Sequence, residues 1–230
     1  MRRKNFTVVV LVAATALLLN PCNAEASLPP YQELPESKIV SEVKAVRKQL
    51  IFKGSRIPAG VICFSPGNIG NEIGSIVTVK KRFRIEEFAF KVVSCTMPGC
   101  SVRLNVYHAE KGNRKTGKAG ALVAQPIDIE IPVSEKPEKF SINTDILLEP
   151  GDYYISMALT GCSEEAAKEW EKARSDKRLN DAFDLARLDF PIFLKTSFAK
   201  DCGSAELISV MSNLGLTASG TEYASTENTY

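Results

Sequence analysis

Apolar and polar residues alternate with a period of two along many short segments of this chain, and this alternation restricts the fold more than any other feature. Val102, Leu104 and Val106 fall on one face of an extended segment, and the residues between them are polar. Half-buried antiparallel strands produce this pattern. The sequence therefore predicts an all-β domain, built as an antiparallel two-sheet sandwich. The predicted strands are 43–52, 61–64, 73–79, 83–93, 102–108, 122–131, 153–159, 190–198 and 207–216.

The alternation changes phase beside Glu87. Phe83 and Ile85 are odd-numbered apolar residues, whereas Phe88 and Phe90 are even-numbered. A strand that keeps all four on its buried face must gain one residue between the two pairs. We therefore expect a turn or a β-bulge at this point.

One segment, 163–188, has helical rather than strand periodicity. Ser163 is a good N-cap, and acidic residues follow it in the first turn. Two apolar triplets then recur at helical spacing, one containing Trp170 and the other Phe183. We expect two short helices laid on the sandwich as an insertion. The two aromatic side chains are the candidate contacts with a protein partner.

The first 24 residues have the organisation of a secretory signal peptide. Basic residues precede the apolar run 8–19, and a small-residue cleavage site ends at Ala24. This run is too short to span a bilayer, and no transmembrane span is expected in the mature chain. Cys22 leaves open a lipid anchor on its thiol. Cleavage removes three of the 29 basic residues and none of the 27 acidic ones, so the mature chain is near neutral and unsuited to nucleic acid.

The rest of the chain is expected to form one domain. Residues 25–38 contain three prolines and few apolar side chains, which is typical of an extended lead-in. The sandwich domain is predicted over 39–217. The polar segment 218–230 is predicted to be a flexible tail.

The mature chain contains five cysteines, and pairing is the default for thiols in an oxidising compartment. Cys95 and Cys100 flank a Pro-Gly turn, so closure of this turn brings them within disulfide range. Cys162 and Cys202 bracket the helical insertion, and a bridge there would fix its two ends. We therefore predict the disulfides Cys95–Cys100 and Cys162–Cys202 and a buried, unreactive Cys63.

Five segments carry a resemblance: GNEIG at 70–74, FAFKVVS at 88–94, VRLNVY at 102–107, PIDIEI at 126–131 and LEPGDYYI at 148–155. In this order they resemble the jelly-roll-like sandwich domains of uncharacterised exported proteins from Bacteroidetes-type bacteria, which are often found behind a carboxypeptidase-regulatory-like domain. The resemblance implies a jelly-roll-like fold and a location in the bacterial envelope. It implies no activity and no catalytic residues.

The sequence contains no pattern typical of a catalytic or metal site. His108 is the only histidine, so a site with two imidazoles is excluded, and no nucleophile motif is present. Asp145, Glu149 and Asp152 gather around a Pro-Gly turn. They are the candidate ligands for calcium, although turn chemistry also explains them.

Tyr107 and Tyr154 fall on the polar faces of their strands, where aromatic rings can contact a sugar. We therefore expect an exported, non-catalytic binding module without a cofactor, located in the periplasm, on the cell surface or outside the cell. Carbohydrate is the first candidate ligand. The alternative is a structural or protein-interaction subunit that docks on an envelope protein through segment 163–188.

Overall fold

The computed structural model describes residues 45–51, 57–112, 115–176 and 186–223. All of them belong to one compact unit. The predicted signal peptide, Cys22, the lead-in and the second predicted helix with Phe183 lie outside the described residues. Within the described ranges, no helix is long and apolar enough to cross a membrane.

The described chain is mostly β-structure, as the alternation predicts. Short connections join its strands, and one α-helix and one 3₁₀ turn interrupt them. The strands are β1 (Ala45–Ile51), β2 (Gly60–Phe64), β3 (Glu72–Val79), β4 (Phe83–Val92), β5 (Ser94–Cys95), β6 (Ser101–Lys111), β7 (Thr116–Leu122), β8 (Ile127–Glu130), β9 (Glu138–Leu148), β10 (Gly151–Gly161), β11 (Leu188–Ile192), β12 (Ser197–Lys200), β13 (Glu206–Val210) and β14 (Thr217–Tyr223). The helix is α1 (Glu164–Ser175), and the 3₁₀ turn is Pro66–Asn68.

The described strands form three sheets. A four-stranded sheet has the order β1-β14-β4-β9, and a three-stranded sheet has the order β2-β11-β5. In the largest sheet, β10-β3-β12-β13-β7-β6-β8, strands β10 and β6 also pair with each other, so six strands close into a barrel and β8 is attached to β6. The all-β prediction is confirmed. The expected pair of open sheets is not what the structure shows, because six strands of the larger sheet close on themselves.

The main apolar core is shared by the four-stranded sheet and the barrel wall. Phe88 and Phe90 of β4 belong to the same buried cluster as Leu104 of β6 and Ile155 and Met157 of β10. Full burial of such a side chain contributes roughly 1.5–3 kcal/mol. Two β layers therefore share one core, as in a sandwich, although one layer is the wall of a barrel.

The barrel has a second, smaller core of its own. Both faces of β10 are buried, because one faces the main core and the other faces the barrel interior. Each of the six barrel strands contributes one or more apolar side chains to the interior, among them Ile76, Tyr107, Ala119, Tyr154, Phe198 and Leu207.

The phase change beside Glu87 is a β-bulge, as predicted. The pairing of β4 with β9 shifts between Ile85 and Glu87, and the pairing of β14 with β4 shifts at the same place. The extra residue keeps Ile85 and Phe88 in the core and leaves Glu87 on the opposite face. A Cβ at Gly220 would lie 1.9 Å from the carbonyl oxygen of Arg84, so glycine is required opposite the bulge.

The prediction of a flexible tail from residue 218 is wrong over the described residues. This segment forms β14, which lies between β1 and β4 in the four-stranded sheet. Its core-facing residues include Ala218 and Gly220, which are buried but too small to give an apolar pattern in the sequence. The domain therefore continues to Tyr223. Strands β7 and β9 were also not predicted.

Helix α1 begins where the sequence predicts it. The Ser163 hydroxyl accepts a hydrogen bond from the backbone N–H of Ala166 at 3.2 Å. Trp170 lies over Gly67, where an added Cβ would be 2.4 Å from the indole ring. The ring is only 6% exposed, so the prediction that it contacts a partner is wrong: it is already buried within this chain.

Candidate functional site

The candidate site is a groove of about 1340 Å³ on the face of the four-stranded sheet that points away from the core. Phe88 and Phe90 of β4 face the core, so the odd-numbered residues beside them, Glu87, Ala89 and Lys91, face the groove. Strands β1, β14, β4 and β9 supply its polar floor. Strands β2 and β11 and the segment before β14 supply its apolar wall.

Besides Lys48, three cationic side chains line the groove: Arg47 of β1, Lys91 of β4 and Lys139 of β9. Lys91 and Lys139 are directly opposite each other in the ladder between β4 and β9. Within the described residues none of the three forms an ion pair, whereas the neighbouring Lys48 pairs with Glu222 at 2.6 Å. Like charges directly opposite each other destabilise a sheet. The pair is therefore a candidate contact for an anionic ligand.

Glu87 is the one carboxylate among the described residues that line the groove. Its oxygens accept hydrogen bonds from the hydroxyls of Ser141 and Ser219, the second at 3.3 Å. The Ser141 hydrogen bond, with help from Ser219, Lys139 and Arg47, holds the pKa of Glu87 below its ordinary value. The carboxylate is therefore ionised at neutral pH, and it accepts hydrogen bonds from two hydroxyl groups of the chain.

The wall of the groove is apolar and rigid. Val61 of β2 is 53% exposed there, and two prolines lie along the same wall. Phe193 packs against Gly215, whose φ of 71° favours glycine and whose added Cβ would be 2.5 Å from the ring. The aromatic rings of the described lining, Phe90 and Phe193, are both buried. The described lining therefore offers charges and hydrogen-bonding groups, and no exposed ring for stacking.

The two tyrosines predicted as ligand contacts lie in the barrel, away from the groove. Tyr154 is fully buried, and its hydroxyl donates a hydrogen bond to the carbonyl of Phe198 at 3.0 Å. The prediction that its ring is exposed is wrong, because the second face of β10 faces the barrel interior and not solvent. Tyr107 is half-buried and stacks on Tyr154 at 6.1 Å between centroids. Burial raises the pKa of both hydroxyls, and a ligand-binding role for Tyr107 stays a prediction.

A buried carboxylate that the sequence does not single out, Glu72, lies beside Tyr107 in the barrel. It accepts hydrogen bonds from the Tyr107 hydroxyl at 3.0 Å, Asn105 Nδ2 at 3.2 Å and Ser156 Oγ at 2.5 Å. Lys200 Nζ completes the cluster with an ion pair at 2.8 Å. Both carboxylate oxygens are satisfied within the chain, so this cluster specifies the barrel structure and leaves no acceptor for a ligand.

The three carboxylates considered for calcium are held by separate cations. Among the described residues, no group of three or more metal-ligating side chains comes together. The ion pairs are Asp145 with Arg84 at 3.2 Å, Glu149 with Arg82 at 2.7 Å and Asp152 with Lys111 at 2.9 Å.

The two predicted disulfides are not present in this structure, in which all five described cysteines are free thiols. The Cys95 and Cys100 thiols are nevertheless neighbours, and the Cys95 thiol donates a hydrogen bond to the carbonyl of Met97 at 3.5 Å. Cys162 lies next to Cys100 at the end of the ladder between β6 and β10. Cys202 instead lies against Gly70, where an added Cβ would be 2.5 Å from its sulfur.

Cys63 occupies a half-buried position on β2. Burial and the neighbouring carboxylate of Asp189 raise its pKa to about 12. The thiol is therefore protonated at neutral pH, which agrees with the prediction of an unreactive side chain.

No protein-family model, no curated protein and no solved structure matches the chain. The groove and its charges are therefore the basis for a functional proposal.

Proposed function

We propose that the protein is an exported, non-catalytic binding module of the bacterial envelope or surface and that it holds an acidic glycan in the groove. The observation that carries this proposal is the pair Lys91 and Lys139, two directly opposed cations that form no ion pair among the described residues. Arg47 adds a third positive charge to the same floor. The carboxylates or sulfates of a sugar chain would neutralise these charges.

A sugar chain fits the groove better than a purely charged polymer does. Glu87 places a negative charge among the cations, so the groove is not uniformly positive. The same carboxylate accepts hydrogen bonds from two serine hydroxyls, and sugar hydroxyls offer the same donor. The exposed side chain of Val61 offers an apolar surface for the carbon face of a sugar ring.

The proposal that the module is non-catalytic rests on the number of carboxylates in the described lining of the groove. Most glycoside hydrolases act with two carboxyl groups that flank the scissile bond. The described lining of the groove provides only Glu87. In this proposal the fold is a variant of the jelly-roll-like sandwich, in which the layer opposite the ligand has closed into a barrel.

The proposal is tested by calorimetric titration of residues 25–230 with an oligogalacturonate, a sulfated glycan and a neutral glucan. We expect binding of one or both acidic glycans, weaker binding at higher salt, and no binding of the neutral glucan. The double substitution Lys91→Gln and Lys139→Gln should weaken binding about tenfold, since two exposed charge contacts contribute roughly 0.7 kcal/mol each.

The matched control removes the same charge elsewhere. Lys168 and Lys172 lie on the exposed surface of α1, outside the groove. Their double substitution with Gln should leave the affinity unchanged. Equal weakening by both double variants, or equal binding of the neutral glucan, would show that the groove does not select an acidic glycan.

A further inference from the structure

We propose that Cys162 is the thiol through which an external disulfide oxidises the buried pair Cys95 and Cys100. The sulfur of Cys162 would be oxidised first, and the disulfide would then pass inward through Cys100 to Cys95. The three residues together are named the thiol cluster below.

The inner two thiols of the cluster have no access to solvent. Cys95 is 0% exposed and Cys100 is 1% exposed. Backbone hydrogen bonds fix both residues in place, since Cys95 pairs with Ser134 in both directions and the carbonyl of Cys100 accepts from the N–H of Ile131 at 2.9 Å. An external disulfide therefore cannot reach either sulfur while the domain is folded.

Cys162 is partly exposed, and it lies beside Cys100. Ser101 is opposite Gly161 at the end of the antiparallel ladder between β6 and β10, so Cys100 and Cys162 are the next residues of the two segments beyond it. The N–H of Ser163 donates to the carbonyl of Pro98 at 2.7 Å, which holds the two segments together beyond the ladder. Directly opposed residues have Cβ atoms about 4.5–5.5 Å apart, close to the separation of about 3.5–4.5 Å in a disulfide.

The proposed oxidation proceeds by three exchanges of sulfur partners. The Cys162 thiolate attacks a small-molecule disulfide, forms a mixed disulfide and releases one thiolate. Cys100 then attacks the Cys162 sulfur, releases the second thiolate and loses its proton. Cys95 finally attacks the Cys100 sulfur, and Cys162 leaves as a thiolate and is reprotonated. In sum, two cysteine thiols are oxidised to one disulfide, and the external disulfide is reduced to two thiols.

The two buried thiols shift each other's pKa: that of Cys95 is lowered and that of Cys100 is raised. Burial also raises the pKa of Cys162. Cys95 is therefore the member of the cluster that most readily forms an attacking thiolate, which suits the last exchange, and the first two exchanges are the slower ones.

The test follows the oxidation of the reduced, folded protein by oxidised glutathione, with quenching by acid and peptide mapping by mass spectrometry. In the wild type, glutathione should appear on the exposed Cys202 and on Cys162 but on neither Cys95 nor Cys100, and the final bridge should be Cys95–Cys100. Cys162→Ser should slow formation of this bridge at least tenfold. Oxidation of the Cys95→Ser variant should stop at a bridge between Cys100 and Cys162.

Cys202→Ser is the matched control, because it removes an exposed thiol outside the cluster and should leave the rate unchanged. Circular dichroism verifies that each variant is folded. The time course of the wild type needs no substitution, so it decides the question even if a variant fails to fold. Glutathione found first on a buried cysteine, or a Cys162→Ser protein that oxidises at the wild-type rate, would overturn the proposal.

Discussion

The substitution Glu72→Gln removes one negative charge from the barrel interior and keeps the shape of the side chain. Glutamine offers one acceptor oxygen where glutamate has two, so the donors Asn105 and Ser156 have to reorient. The larger effect falls on Lys200, whose ammonium group loses its counter-charge.

The expected loss in the free energy of unfolding follows from the burial of this ion pair. The side chain of Glu72 is 5% exposed and that of Lys200 is 13% exposed. Removing one partner of a buried pair costs about 3–5 kcal/mol, because an uncompensated charge stays behind. Lys200 keeps a little contact with water and lies 5.7 Å from the centre of the Tyr107 ring, which also attracts a cation. We therefore expect a loss near the lower end of the range, about 3 kcal/mol.

Urea denaturation measures this loss. With a slope of roughly 2–3 kcal/mol per molar urea, the midpoint should fall by about 1–1.5 M. Glu110→Gln makes the same change at an exposed position of β6 and should alter the free energy of unfolding by less than about 0.5 kcal/mol. Adding Lys200→Met to Glu72→Gln should recover much of the stability, because no charge is then left without a partner.

The reasoning would be refuted if Glu72→Gln cost less than about 1 kcal/mol, as is usual for a surface ion pair. It would also be refuted if the double variant lost as much free energy of unfolding as the two single variants, Lys200→Met and Glu72→Gln, lose together. Either result would mean that the cluster does not hold a desolvated charge pair.

Two further outcomes are expected. Gly215→Ala should lower the free energy of unfolding, measured in urea, by about 2–4 kcal/mol, because it combines backbone strain at a φ of 71° with a collision against Phe193. Gly203 has a φ of 74° and no atom within 4 Å of an added Cβ. Gly203→Ala should therefore cost only the backbone strain, about 1–2 kcal/mol. Equal losses would show that the collision is relieved without cost. The pKa of Cys63 is raised to about 12, so at pH 8 about one Cys63 side chain in ten thousand is a thiolate. Iodoacetamide at that pH should therefore label the exposed Cys202 and leave Cys63 unmodified, which peptide mapping measures. Rapid labelling of Cys63 would contradict the assigned burial.

Alternation in the sequence identifies the strands but not what covers each of their faces. It correctly predicts β6 and β10 and places Tyr107 and Tyr154 on the faces opposite the main core. Those faces are covered because six strands close around them, and closure depends on the pairing of β10 with β6 and β3. No local pattern encodes that pairing. A side chain predicted to face solvent is therefore buried in the structure.

The candidate site likewise combines one feature that the sequence predicts with others that it does not. The phase change at Glu87 is visible in the sequence, and it predicts the bulge that turns this carboxylate toward the groove. Lys91 and Lys139 are distant in the sequence, and only the register of β4 with β9 brings them together. Strand β14, which completes the floor, could not be found from apolar residues because Ala218 and Gly220 face the core.

A crystal structure of the protein with a bound oligogalacturonate tests the central claim most directly. The account predicts that the sugar carboxylates lie about 2.7–3.2 Å from the Nζ atoms of Lys91 and Lys139 and that a sugar ring contacts Val61. A ligand bound at the barrel beside Tyr107, or an empty groove at a saturating ligand concentration, would contradict it.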